Sequence, residues 1–433
     1  MDFILFILVT ATLFVRPAEI VADLAQGPTY EILILGCVAT SFPKLLDQLR
    51  VARLAEQPVT VCILGMLTAL VMSYVRQFYF GAAFDVGLDF SKIVIYYLLL
   101  VSVVDTPQRL RAFLVALMVC IAVVAALAVL QYHGAIDIPG LSALAEGRID
   151  PITGQFVGEM RLRSTGIFHD PNDLSLILVV GMVLAAYWIT DRYAGSARIF
   201  ALGAIGVFGY AFALTKSRGG MLALMGAVLA MFYARYGLRK TIVLASLTLP
   251  LILVVFAGRQ TTINTSEGTS QQRIQLWSGA LTTLRSHPIF GTGNGSFVED
   301  NGLVPHNSYV QSYVELGMLG GTAFFAAYYT AALILYRMRN QVDQVSLHYG
   351  GIERLRPYLL AIVVGYAIGL MSLSRHLVVP TYMVVGLAAI YPDIVGIAQP
   401  VRVDSRYAKR IALGSCCFVI SLYLLTRLTV RWG

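Results

Sequence analysis

Long apolar runs decide what this chain can become. Roughly twelve or thirteen stretches are long enough, or nearly so, to cross a hydrocarbon core, near 3–20, 28–42, 58–76, 89–105, 110–132, 172–190, 198–215, 219–235, 241–257, 308–336, 357–374, 378–397 and 411–428. A helix needs about 20 apolar residues to span ~30 Å of hydrocarbon. Inside lipid every backbone polar group must find its partner within the protein, so each run is expected to be a helix. The run at 28–42 is the shortest and the least secure. The first lacks a basic start and a small-residue cleavage site, and is expected to be retained as a helix. Only 13% of the 433 residues are charged, against about 25% in soluble domains. The expected fold is all-α and polytopic: transmembrane helices over 1–132, a loop over 133–171, central helices over 172–257, a second loop over 258–307 and C-terminal helices over 308–433. The second loop is expected to carry a short amphipathic helix.

Basic residues give the topology. Lys44/Arg50/Arg53, Arg109/Arg111, Arg192/Arg198, Arg235/Arg239/Lys240, Arg337/Arg339/Arg354/Arg356 and Arg402/Arg406/Lys409/Arg410 lie in connections between runs. If each run crosses once, all six connections share one side. Short cytoplasmic loops are enriched in Lys and Arg, so the N-terminus is expected in the cytoplasm and both long loops on the outer face, the periplasm for a bacterial inner membrane. The net charge of +8 is dispersed among these loops and does not point to nucleic acid. Cys37, Cys62, Cys120, Cys416 and Cys417 all fall in apolar runs, without the spacing of a disulfide framework or a zinc site. No metal or cofactor is expected.

The outer loops hold the residues suited to chemistry. Arg161, Arg163, Lys216, Arg218, Arg259, Arg273 and Arg375 break the positive-inside pattern. A single interfacial arginine can be explained by snorkelling to lipid phosphate; several on one face suit an anion, because the guanidinium fork grips phosphate at two points. Arg218 lies in Lys216-Ser217-Arg218-Gly219-Gly220, at a helix start where free amides favour anions; a tight helix–helix turn would use the same glycines. Ile274, Trp277, Leu281 and Leu284 recur at helical spacing from about Ser270 to Ser286, predicting a helix along the membrane surface. Arg273 and Trp277 then share a face, with Trp277 as interface anchor or sugar platform. Gly291, Gly293 and Gly295 could expose amides as an anion nest. His306 precedes a helix that Asn307 or Ser308 can cap, and imidazole accepts protons near neutrality. His169, His287 and His376 are rivals for that role. Glu315, a carboxylate inside the helix, needs a partner, and Asp170-Pro171 reads as a helix cap.

Taken in order, Arg163-Ser164-Thr165-Gly166, Asp170-Pro171-Asn172, Ser217-Arg218-Gly219-Gly220, Arg273 with Trp277, Pro288-x-x-Gly291-x-Gly293, and His306-Asn307-x-Tyr309 with Glu315-x-Gly317-x-x-Gly320 resemble the O-antigen ligase and polymerase superfamily of bacterial membrane glycosyltransferases. The likeness is strongest over residues 160–325. It implies metal-independent, inverting transfer of a glycan from an undecaprenyl diphosphate donor to an acceptor hydroxyl. The acceptor is a lipid A core sugar in ligases and another lipid-linked repeat in polymerases. By this resemblance His306 is the general base, and Arg218 and Arg273 hold the departing diphosphate. Arg163, Lys216, Arg259, Trp277, Asn307, Glu315 and Arg375 are the expected substrate-binding set. Ligase-type transfer is the leading expectation and polymerase the alternative. A flippase of lipid-linked sugars is less well matched, since transporters place ionisable groups near the midplane and often show repeats.

Overall fold

The computed structural model describes residues 1–20, 27–138, 141–149, 156–247, 269–342 and 351–430. Its helices follow the apolar runs. They are α1 (Asp2–Val15), α2 (Thr29–Gln48), α3 (Pro58–Val75), α4 (Phe80–Val103), α5 (Pro107–Tyr132), α6 (Pro171–Thr190), α7 (Ala197–Thr215), α8 (Arg218–Tyr236), α9 (Thr269–Ser286), α10 (Ser308–Arg337), α11 (Arg356–Gly369), α12 (Val379–Ile394) and α13 (Ser405–Thr429), apart from a few short turns. Ten helices among the described residues are long and apolar enough to cross a membrane, and α12 is a shorter apolar helix. The protein is an all-α polytopic membrane protein. The doubtful run at 28–42 extends to a 20-residue helix, because polar residues around Lys44 continue it beyond the apolar stretch. The run at 241–257 is helical to 247 and otherwise outside the described residues.

The connections segregate into two ends. At one end Lys44 bridges Asp2 and Asp105, Arg111 pairs with Asp191, Arg53 with Asp393 and Arg402 with Glu56. These are the basic connections that the sequence assigns to one side. At the other end the Gly166 amide donates to Glu19, Gln77 donates to the Thr292 carbonyl and Arg375 pairs with Asp173. The loop after α5 is not wholly irregular: Leu144–Ile149 (β1) and Phe156–Arg161 (β2) form an antiparallel hairpin at this second end.

α10 carries the feature that shapes the site. Its backbone breaks at Gly317 (φ 67°, ψ −168°), which would orphan carbonyls and amides inside the protein. The segment 288–293 fills the break. Thr292 and Gly293 amides donate to the Val314 and Glu315 carbonyls at 3.2 and 2.9 Å, and Met318 and Leu319 amides donate to the Pro288 and Ile289 carbonyls at 2.7 and 3.2 Å. A Cβ on Gly317 would strike the Ile289 carbonyl, and one on Gly291 the Glu315 carbonyl. These glycines permit backbone-to-backbone contact that no side chain would allow. The 291–293 segment is therefore a splice into α10, and the amides of Thr292 and Gly293 are not free for an anion.

Candidate active site

The start of α10 is held from three sides. Asn307 is fully buried, and its Oδ1 accepts from the Tyr309 and Val310 amides at 3.0 and 3.2 Å, the N-cap its sequence position suggests. The Ser308 amide donates to the Leu370 carbonyl, its hydroxyl donates to the Leu373 carbonyl, and that hydroxyl accepts from the Arg375 amide. On the third side is α9. Its Ala280, Leu281 and Leu284 are buried with Val310, Tyr313, Val314 of α10 and Leu422 of α13. The apolar stripe of α9 thus packs on protein, where the sequence suggested a membrane surface. Trp277 Nε1 donates to the Pro305 carbonyl at 2.7 Å, pinning the residue before His306. His306 itself takes a left-handed conformation (φ 49°), uncommon for a residue with a Cβ, and is partly buried.

The other cations arrive from the start of α8, the hairpin and the segment between α11 and α12, beside the start of α6. Ser217 caps α8 through the Gly220 amide and also donates to Asn172 Oδ1 at 2.7 Å. A Cβ on Gly219 would strike Ser372 Oγ, so the glycine brings the Arg218 turn against the segment that anchors α10. Asp170 caps α6 by accepting from the Asn172 amide at 2.7 Å. Burial lowers the basicity of Arg273; Glu146 and Asp170 oppose this, and Arg218 and Arg161 add to it. Burial also holds the His306 imidazole below its ordinary pKa, with Arg273 and Arg375 in the same direction and Asp170 against. These mutual influences gather His306, Arg273, Arg218, Arg161, Arg375, Asp170 and Glu146 in one field.

The cations singled out from the sequence divide sharply. Arg375 grips Asp173 with Nε at 2.7–2.9 Å and Nη2 at 2.6 Å. Arg161 bonds Glu146, Asn172 Oδ1 and the Thr215 carbonyl. Arg163 holds the Ser142 carbonyl and hydroxyl, and Lys216 pairs with Glu159 at 3.3 Å. Arg218, Arg273 and His306 have no hydrogen-bond or ion-pair partner among the described residues. Arg259 lies outside them.

The rival histidines sit differently. His376 is buried (3% exposed), with Nε2 3.6 Å from Glu315 Oε2, and burial pushes its pKa down to about 3. His287 follows the far end of α9, on the order of 20 Å along the helix from Arg273. Exposed His169 places Nδ1 2.9 Å from the Ser164 carbonyl, where that nitrogen must donate. Glu315 is fully buried, accepting from Gln311 Nε2 at 3.1 Å. Asn307, Gln311 and Glu315 form a polar stripe four residues apart, facing inward. Gln311 escaped sequence reasoning; its four-residue spacing from Asn307 was the available signal.

Residues 200–325 match the family model described as O-antigen ligase. No curated protein matches the chain. The matched stretch contains Arg218, Arg273, His306 and the whole 288–317 splice. The match supports a membrane glycosyltransferase of the O-antigen ligase/polymerase type, acting on lipid-linked saccharides.

Proposed function

From a multi-pass membrane chain whose residues 200–325 carry the O-antigen ligase match, we infer an inverting, ligase-type glycan transfer with His306 as general base and Arg218 and Arg273 as the diphosphate clamp. The observation that carries this reading is the division of the cations: of the gathered groups, these three have no hydrogen-bond or ion-pair partner among the described residues. Arg273 is half-buried, and a half-buried charge without a partner is costly; an anionic substrate supplies the missing partner, with exposed Arg218 beside it.

His306 accepts the proton of the acceptor hydroxyl as its oxygen attacks the anomeric carbon. The bond from that carbon to the diphosphate oxygen breaks, and the diphosphate leaves with the electron pair. Arg218 and Arg273 stabilise the charge that grows there, supplying electrostatically what a metal supplies in other transferases. One displacement inverts the anomeric centre. The depressed pKa of His306 keeps the imidazole neutral, and therefore able to accept, through the neutral range. Arg161, Arg163, Lys216 and Arg375 shape the rim through their carboxylate and carbonyl partners, and Asn307 fixes the helix that presents His306. The donor is read as undecaprenyl diphosphate-linked glycan, the acceptor as a lipid A core sugar, and the compartment as the periplasmic face of a bacterial inner membrane.

The test uses purified protein in detergent with a synthetic undecaprenyl diphosphate repeat unit, with and without lipid A core. Product on the core, abolished by His306→Ala and retained by His169→Ala, is expected. A ladder of lipid-linked repeats without core would make the protein a polymerase. No product in either condition, with donor flipping in liposomes, would refute the enzyme reading.

A further inference from the structure

A second anion-suited cavity lies at the opposite end of the molecule, between the last turn of α10 and the first turns of α13. It measures about 330 Å³ and is lined by Arg337, Arg402, Arg406 and Arg410, with Asp404 as its one carboxylate. Asp404 is already engaged, since its Oδ1 accepts from the Tyr407 amide at 2.6 Å as the cap of α13. Arg402 pairs with Glu56 at 2.9 Å, and Arg337 donates to the Pro400 carbonyl at 2.9 Å, which does not neutralise it. Arg406 and Arg410 have no hydrogen-bond or ion-pair partner among the described residues. Their spacing of four sets both guanidinium groups on the same face of α13. One side of the cavity, from Tyr329 and Leu333 of α10, is apolar.

Arginines at this end are expected from topology alone, but topology asks only that they be spread over the connections. Here four converge on one concavity that also offers an apolar wall. Guanidinium forks match phosphate oxygens, and basic pockets between transmembrane helices suit phospholipid headgroups. We propose that this cavity binds a phosphate group at the end of the protein opposite His306, the headgroup phosphate of an anionic membrane lipid being the source the apolar wall fits. The α10 helix separates the two sites by on the order of 40 Å, so the second is not an extension of the first.

The experiment measures thermal unfolding of the full chain in neutral detergent with added phosphatidylglycerol, phosphatidylcholine, or inorganic phosphate. Three proteins are compared: wild type, Arg406→Ala/Arg410→Ala, and the control Arg239→Ala/Lys240→Ala, which removes equal charge from the same end. The proposal expects phosphatidylglycerol to raise the melting temperature of wild type and control by several degrees, and that of the Arg406/Arg410 variant by at most a third as much. Phosphatidylcholine should leave all three unmoved. An equal shift from inorganic phosphate, lost in the same variant, would keep the phosphate site and assign it to a free anion. A phosphatidylglycerol shift undiminished in the Arg406/Arg410 variant, or lost equally in both variants, would overturn it. Should the variant not fold, native mass spectrometry of Arg406→Lys/Arg410→Lys decides: unchanged lipid retention against wild type would overturn the site, and weakened retention would support it.

Discussion

Trp277→Phe isolates a single hydrogen bond that holds the proposed base. The indole N–H donates to the Pro305 carbonyl at 2.7 Å, one residue before His306, whose backbone is held at φ 49°. Phenylalanine retains most of the apolar contact with Leu281 and its neighbours on α9 but removes the donor. Losing a neutral hydrogen bond costs about 0.5–1.5 kcal/mol, and leaving a buried carbonyl unpartnered about 1–3 kcal/mol. Pro305 is buried, so about 1.5 kcal/mol is a working value for the loss of the held geometry. Felt wholly in the transition state, that is roughly a tenfold fall in kcat. The assay is steady-state glycan transfer with the donor varied. The expected result is lower kcat with donor KM changed less than twofold, since the bond positions the base and does not touch the donor. A raised donor KM at unchanged kcat would refute this reasoning and return Trp277 to the role of sugar platform. No change in either parameter would show that the Pro305 contact does not govern His306.

Other expectations follow from the same geometry. Gly317→Ala and Gly291→Ala each place a Cβ on a main-chain carbonyl across the splice at positive φ, so each should destabilise by about 2 kcal/mol or more; a melting temperature within 1–2 °C of wild type, about the assay error, would contradict the splice. The pH profile of kcat/KM should rise to a plateau with its midpoint below the ordinary imidazole value, because burial and then Arg273 lower the pKa of His306. Arg273→Gln removes the second influence and should move the midpoint to higher pH; movement to lower pH would contradict it. Arg218→Gln should cut kcat by 10²–10³, as loss of a preorganised charge-stabilising donor does, and Arg218→Lys should recover only part of it. Arg375→Gln leaves Asp173 unpaired at 8% exposure, which should cost about 3–5 kcal/mol of stability rather than act chiefly on donor affinity; a normal melting temperature with weakened donor binding would restore Arg375 to the substrate.

The sequence alone was sufficient for everything governed by local chemistry and by water–lipid partition. Twenty-residue apolar runs have one viable conformation in a bilayer. Asp170 and Asn307 announce their caps by satisfying amides two or three residues on, and the α9 stripe is written in its period. The hairpin at 144–161 was not legible, since its short strands mix charged and apolar residues without clean alternation. Nor was the break in α10: hydropathy runs unbroken across Gly317, because splicing requires a backbone segment from elsewhere and changes no side chain's polarity. Composition likewise treated the cations expected on the outer face as equivalent. Their division into paired and free depends on carboxylates distant in the chain, Asp173 for Arg375 and Glu159 for Lys216. Pairing is a matter of ångströms, and only the folded structure sets the separation of residues far apart in sequence; the spans and caps needed no such knowledge, because their partners are solvent, lipid and the adjacent turn.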